Sequence, residues 1–333
     1  MQEPNAVDKY IRWNAQTQLF EPIWWRRDIL PFWMFPDEQF VNGSFTINAA
    51  GTPTPPVVYK LPHASLDMDA VVGNPLRITR MVFEDSTDTT ALANFTVLMK
   101  DMGDQLQYMN APIHIRTFAG TSQLPAGLAE PLFLPTRHAL MFTFAKLAGG
   151  AVTVRLYPVG ELYCTWSPNL QQHKLDHDIM IAWINKLLER RNYVQPYWLT
   201  TDLGGVCIPA GGQTVEQDAT IGDDAHFEGK DIMAVSDGDF ELELVNPITR
   251  QTISNGYIHG DMLGTALNPQ PLPAGWIIPA GETLRFRIHD LSGDPNNVYI
   301  TIRGRKIKAP FKLIGEVTKE LGLPEPAKKV VSK

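Results

Sequence analysis

His173 and His177 stand four residues apart in a stretch of helical period, with Asp176 and Asp178 beside them. That spacing brings two imidazoles onto one helix face, where they can share a metal ion. The segment is polar and offers no identifiable third ligand, so a solvated helix face is the preferred reading. Asp218, Asp223, Asp224, Glu228 and Asp231 supply oxygens of the kind calcium takes, but without the D-x-[DN]-x-[DN]-G register. They read as a charged loop. Cys164 and Cys207 are the only cysteines, too few for a disulfide framework or an all-cysteine zinc site, and are expected as reduced, buried thiols. No phosphate-binding loop, dinucleotide turn, nucleophile elbow or zinc-protease helix occurs. No carboxylate pair can be nominated for glycoside cleavage. The expectation is a protein with no catalytic residues, no cofactor and no metal; an enzyme such as a polysaccharide depolymerase is the disfavoured alternative.

The elements that would have to position any such chemistry are mostly short strands. From about residue 31 onward, segments such as Leu76–Phe83, Phe95–Leu98 and Val152–Tyr157 are separated by clusters of Pro, Gly, Asn and Asp. That spacing predicts a sandwich or barrel. The same pattern returns with Phe240–Val245, Thr283–Ile288 and Val298–Arg303, whose alternation implies one buried and one wet face. Between the two lies one long helical stretch, Asn169 to Arg191, with Leu175, Ile179, Trp183 and Leu187 on one stripe. The 333 residues exceed the usual size of one domain. The predicted organisation is an aromatic N-terminal arm (1–30), a β-sandwich (31–166), a connecting helix (167–194), a second β-sandwich (195–307) and a C-terminal helix and tail (308–333). The fold class is all-β: two tandem jelly-roll-like antiparallel β-sandwiches joined by one α-helix, with arms at both ends.

The two β regions carry the same landmarks in the same order, which predicts an internal duplication. Pro31-Phe-Trp-Met34 answers to Pro196-Tyr-Trp-Leu199. Phe95–Asp101 matches Phe240–Asn246, and Met109–His114 matches Ser254–His259, both at a spacing of 145. Leu134-Pro135 pairs with Ile278-Pro279 and Leu147-Ala-Gly149 with Leu291-Ser-Gly293 at 144, and Val152–Leu156 with Val298–Ile302 at 146. Duplicated β domains keep the residues that specify turns and lose the rest, because turn geometry is less forgiving than strand faces. His114 and His259 hold matching places, which argues for a shared packing role rather than shared catalysis.

The first 40 residues are rich in aromatics without a sustained period, so they read as an arm. Its aromatics either fold back on the chain's own domains or contact another subunit. The candidate assembly contacts are Trp13, Phe20, Trp24, Trp25 and Phe35. Removing residues 1 to 28 is expected to leave the domains folded and to abolish incorporation into an assembly. The net charge of −7 offers phosphates no general attraction, so neither nucleic acid nor an anionic membrane is an expected partner. The N-terminal residues show no secretory signal, and synthesis in a cytoplasm is expected.

The second β region, through Pro196-Tyr-Trp-Leu199, Ile253-Ser-Asn255, Ile278-Pro-Ala-Gly281-Glu-Thr-Leu284 and Leu291-Ser-Gly293, resembles virion structural proteins of tailed bacteriophages. The first region departs from it, with Leu134-Pro-Thr-Arg137 in place of Ile278-Pro-Ala-Gly281. The resemblance implies a non-enzymatic protein of the virion, made in the host cytoplasm. It would decorate the head or sit at the neck or tail, with copies of itself and other virion proteins as partners. Two alternatives stand beside it. One is a double jelly-roll major capsid protein of a tailless phage, expected to form trimers. The other is a carbohydrate-binding adsorption protein with Trp198, Trp276 or Tyr257 as sugar platforms.

Overall fold

Thr283-Leu-Arg-Phe-Arg-Ile-His-Asp290 alternates apolar side chains with others, and a period of two buries a single face only when the chain is extended. In the computed structural model of the protein this segment is a strand, with Leu284, Phe286 and Ile288 buried and the residues between them half-buried. The structure describes residues 11–14, 19–22, 29–36, 43–61, 74–85, 94–121, 123–163, 174–210, 212–247, 250, 252 and 254–308.

A hairpin of β1 (Ile11–Asn14) and β2 (Leu19–Pro22) precedes strand β3 (Ile29–Trp33). The first half then runs through β4 (Ser44–Ile47), β5 (Val57–Lys60), β6 (Leu76–Asp85), β7 (Phe95–Asp101) and β8 (Ile113–His114). A helical turn, α1 (Ile115–Phe118), leads to β9 (Ala126–Leu134), β10 (Ala139–Lys146) and β11 (Val152–Tyr163). One sheet has β4-β11-β6-β9 as neighbours, and the other has β5-β10-β7-β8. With the strands from β4 to β11 counted in chain order, the sheets read 1-8-3-6 and 2-7-4-5. That is the jelly-roll order.

Helix α2 (Lys174–Tyr193) leads into β12 (Val194–Thr200) and the second half. This contains β13 (Val206–Ile208), β14 (Thr214–Thr220), β15 (His226–Ser236), β16 (Phe240–Val245) and β17 (Ile258–His259). After a turn at Gly260–Met262 come β18 (Gln270–Pro271), β19 (Ile277–Ile278), β20 (Thr283–Asp290) and β21 (Asn296–Ile307). The order repeats as β13-β21-β15 with β18 and β19, and β14-β20-β16-β17; the sixth strand is simply split in two. The protein is thus an all-β double jelly roll with a helix between its halves. Each half has its own core, built around Tyr59, Phe95 and Phe142 in the first and around Phe227, Leu242 and Phe286 in the second.

The landmarks shared by the halves do the same backbone work. Pro135 and Pro279 each open a turn whose first carbonyl accepts from the amide three residues on, His138 or Glu282, at 3.2 Å. The third residue is left-handed in both, Gly281 at φ 76° and Arg137 at φ 67°. The first copy therefore departs from the pattern in residue type and not in conformation. Gly160 and Gly304 mark another shared device, since a Cβ at either would run into a facing carbonyl oxygen, that of Arg77 or Glu228. Both lie where the pairing with β6 or β15 slips by one residue, at a β-bulge. This bulge corrects one sequence match: Gly160 answers to Gly304, so the last strands correspond at a spacing of 144, and Val154, not Val152, is the counterpart of Val298. The 146 alignment kept each side chain on its proper face because it is wrong by two residues.

Two further expectations change. Ile29 and Leu30, expected in the arm, belong with Pro31-Phe-Trp33 to an edge strand on β11, where Pro31 is tolerated because no partner needs its missing N–H. Pro196 occupies the same place in β12 on β21. Helix α2 is Lys174–Tyr193 and buries Met180, Ile184 and Leu187, with Trp183 only partly covered. The expected every-four stripe drifts around a helix of 3.6 residues per turn, whereas spacings of four and three stay on one face. The side chains of Leu175, Ile179 and His177, and all of His173, lie outside the described residues.

Candidate assembly interface

The joint between the halves is built on β12. Its Pro196-Tyr-Trp-Leu199 segment is fully buried, and Trp198, 1% exposed, packs in the core of the first half. The indole lies 5.2 Å from Phe118, ring centre to ring centre, and the Trp198 amide donates to the Tyr108 carbonyl at 3.0 Å. Asn110 acts as a strand partner through its side chain: its Oδ1 accepts from the Thr200 amide at 2.9 Å, and its Nδ2 donates to the Thr200 carbonyl at 2.6 Å. Thr117 and Thr301 join hydroxyls at 2.9 Å across the joint. Arg303 grips Asp231 in its own half and donates to the Gly127 carbonyl of the other. Glu130 receives Arg190 of α2 at 2.9 Å and Arg305 of the second half at 3.4 Å.

His114 and His259 cap the turn that follows β8 and β17. In each, Nδ1 accepts from the backbone amide two residues on, Arg116 at 3.2 Å and Asp261 at 3.4 Å. The shared role is a cap, for which the ring must keep a neutral acceptor nitrogen. Burial pushes the His114 imidazole down to about 4, helped by Arg116 and opposed by Asp237. An unfolded histidine takes up its proton near 6.5, so between those values the unfolded chain binds more protons than the native one. Stability is expected to fall by about 3 kcal/mol as pH drops from about 6.5 to about 4, and to lose nothing further from this group below that. His114→Asn keeps an acceptor for the cap. Urea midpoints measured across that range should fall less steeply in the variant, the remaining decline including that of His226, whose imidazole burial also pushes down; parallel slopes in both proteins would reject the assignment.

The Asp101, Asp104 and His138 ligand atoms lie close enough to hold a cation, but the chain supplies one itself. Arg191 at the end of α2 bonds both carboxylates, and His138 Nδ1 lies 3.0 Å from Asp101. Asp101 is fully buried and also accepts from the Gly103 amide at 2.7 Å. This cluster pins the helix to the first half. The expected charged loop is likewise a set of ion pairs, mostly between strands: Asp218 with Arg285, Asp231 with Arg303, and Glu228 with Arg305 and Lys230. Asp224 meets Lys306 and Lys308. Burial alone would raise the Glu228 carboxyl, but its bonds from Lys230 and Arg305 outweigh that and hold it below the usual range. Sequence reasoning missed the arginine pairings because Arg285, Arg303 and Arg305 each lie far downstream of their carboxylates, on a neighbouring strand.

No protein-family model matches the chain, and no curated protein does. Among solved structures, a vicilin from Capsicum annuum aligns at 8% identity over 88% of this chain and 94% of that one, with a TM-score of 0.16. The infectious bursal disease virus VP2 subviral particle aligns at 11% identity over 84% and 76%, with a TM-score of 0.18. Pumpkin seed globulin gives 7% identity, 88% and 93% coverage, and 0.17. Scores this low carry no argument, and the fold assignment rests on the strand order alone.

Of the sequence-nominated contacts, Trp13 and Phe20 are register partners in the β1–β2 hairpin, with side chains outside the described residues. Trp24 and Trp25 also lie outside them. Phe35 is 53% exposed and meets Tyr157 edge to face at 5.2 Å. It is joined by Trp33, 44% exposed and also edge to face with Tyr157, so the two rings leave an open apolar surface at β3; Leu30, 47% exposed, lies on the other side of the strand. Of the proposed sugar platforms, Trp198 is buried in the joint and Trp276 packs against the second core, leaving Tyr257 as the exposed ring. Cys207 is exposed, contrary to the expected buried thiol, because it lies on the outward side of β13; Cys164 lies outside the described residues. No described helix is long and apolar enough to cross a membrane.

Proposed function

We propose that the chain is a non-enzymatic structural subunit of a bacteriophage virion, and that its place is the shell itself, as a double jelly-roll capsid protein. The observation that supports this most directly is that two complete jelly rolls of one strand order are joined through a buried strand and not by a loose tether. Jelly rolls serve in capsids, lectins and cupins alike, so fold alone does not choose among them. Two near-equivalent modules fixed in one chain suit pseudo-equivalent positions in a closed symmetric assembly. A head-decoration or neck protein of a tailed phage is the nearest alternative placement. A sugar-binding adsorption protein is more distant, since the Trp198 platform is unavailable.

Quantitative mass spectrometry of particles carrying this chain is expected to find it as their most abundant protein, and the purified chain is expected to form trimers. A few copies per particle would move it to decoration or neck, and absence from particles would remove the reading. Glycan binding lost in Tyr257→Ala would favour adsorption instead.

A further inference from the structure

We propose that the exposed β3 face of the first half is the docking surface for the second half of another copy of this chain, seated on the loop around Tyr257, His259 and Met262. The inference deepens the shell-subunit reading and rests on it. Its argument comes from comparing each half with its own repeat. Phe32 pairs with Gly160 as Tyr197 pairs with Gly304, which makes Trp33 the counterpart of Trp198 and Phe35 that of Thr200. Trp198 and Thr200 are each 1% exposed because the first half covers them, whereas Trp33 is 44% and Phe35 53% exposed.

The receiving side shows the mirror of this pattern. The spacing of 145 equates Thr117 with Met262 and His114 with His259, and both histidines make the same cap. Thr117 is 1% and His114 3% exposed, because β12 and β21 of the second half pack there; Met262 is 65% exposed, and the His259 side chain 39%. Each half therefore owns one donor strand and one receiving loop. The donor of the second half fills the receiver of the first, and the opposite donor and receiver stay open on the same chain. The donor surface is apolar, and the receiving loop exposes Tyr257 and Met262 among polar neighbours; large apolar side chains left open in this way mark contact sites.

Further copies of this chain fit both surfaces, one at each, by repeating a joint this chain already makes within itself. Trp33 would meet Ser254 as Trp198 meets Met109, and Asn255 would bridge the backbone at Phe35 as Asn110 bridges it at Thr200. Where the internal joint pairs the Thr117 and Thr301 hydroxyls, the external one would pair Met262 with Tyr157, whose ring already packs against Trp33 and Phe35. Sulfur on an aromatic ring is a favourable contact. Such a contact is head to tail, so copies close into a ring when the rotation permits.

The test uses the full-length chain with Trp33→Asp on the donor side and Met262→Asp on the receiving side, read by sedimentation equilibrium and thermal melting. Each variant is expected to melt like the wild type and to weaken self-association roughly tenfold or more, as loss of a central anchor does. An equimolar mixture of the two should form heterodimers and nothing larger, because one intact donor and one intact receiver remain. Wild-type assembly by either variant overturns the inference, as does a mixture that stays monomeric. Should Trp33→Asp lower the melting temperature while leaving assembly intact, the chain's own residues 1–28 are the occupant of β3 and the inference also fails. A wild-type chain that never self-associates overturns it too, while particle composition decides the shell reading separately.

Discussion

Replacing Arg191 with methionine is expected to lower the free energy of unfolding by about 3–5 kcal/mol, the cost of leaving a buried charge without its partner. Asp101 has no exposed surface, and the guanidinium of Arg191, itself 6% exposed, is its principal counter-charge. Methionine fills a similar volume but leaves the carboxylate with His138 and the Gly103 amide only. The control is Arg190→Met. Its partner Glu130 keeps Arg305, and a partly exposed pair of this kind is worth under about 1 kcal/mol. Guanidinium melts of the two variants check the contrast, and equal losses would show that Asp101 does not depend on Arg191. The double variant Arg191→Met/Asp101→Asn should recover part of the loss, since the stranded charge is gone.

Trp198→Ala carries the second large effect, about 3–5 kcal/mol for deleting a fully buried aromatic. The residue belongs by sequence to the second half and by packing to the core of the first, so its removal also weakens the coupling between them. Calorimetry is expected to resolve two transitions in the variant where the wild type shows one. Trp33→Ala, at the equivalent position with 44% exposure, should cost the isolated chain no more than about 0.5 kcal/mol. A single transition in Trp198→Ala, or a comparable loss in Trp33→Ala, would contradict the asymmetry of the two strands.

The repeat was legible because its landmarks act locally. Pro135 and Pro279 open the same turn, Gly149 and Gly293 take the same positive φ, and the His114 and His259 caps form within two residues of the ring. Strand order within a sheet is not local. Alternation and turn spacing led to a sandwich or barrel, and the jelly-roll order is set by pairings between strands far apart in the chain. Of the helix stripe, Leu187 is buried and Trp183 packs partly covered against the same cluster, while Met180 and Ile184 complete that face because spacings of four and three stay on one side of a helix. The ion pairs were illegible, since Asp231 and Arg303 become neighbours only through the pairing of β15 with β21.

The candidate site shows the division most sharply. Pro31-Phe-Trp-Met34 and Pro196-Tyr-Trp-Leu199 are nearly the same sequence, and by itself that sequence determined the same edge strand in each half, with the same register on the last strand. Only the tertiary structure decided that one tryptophan is enclosed and the other open. Local sequence sets which way a side chain points from a strand, whereas burial depends on what another part of the chain, or another chain, brings to that face.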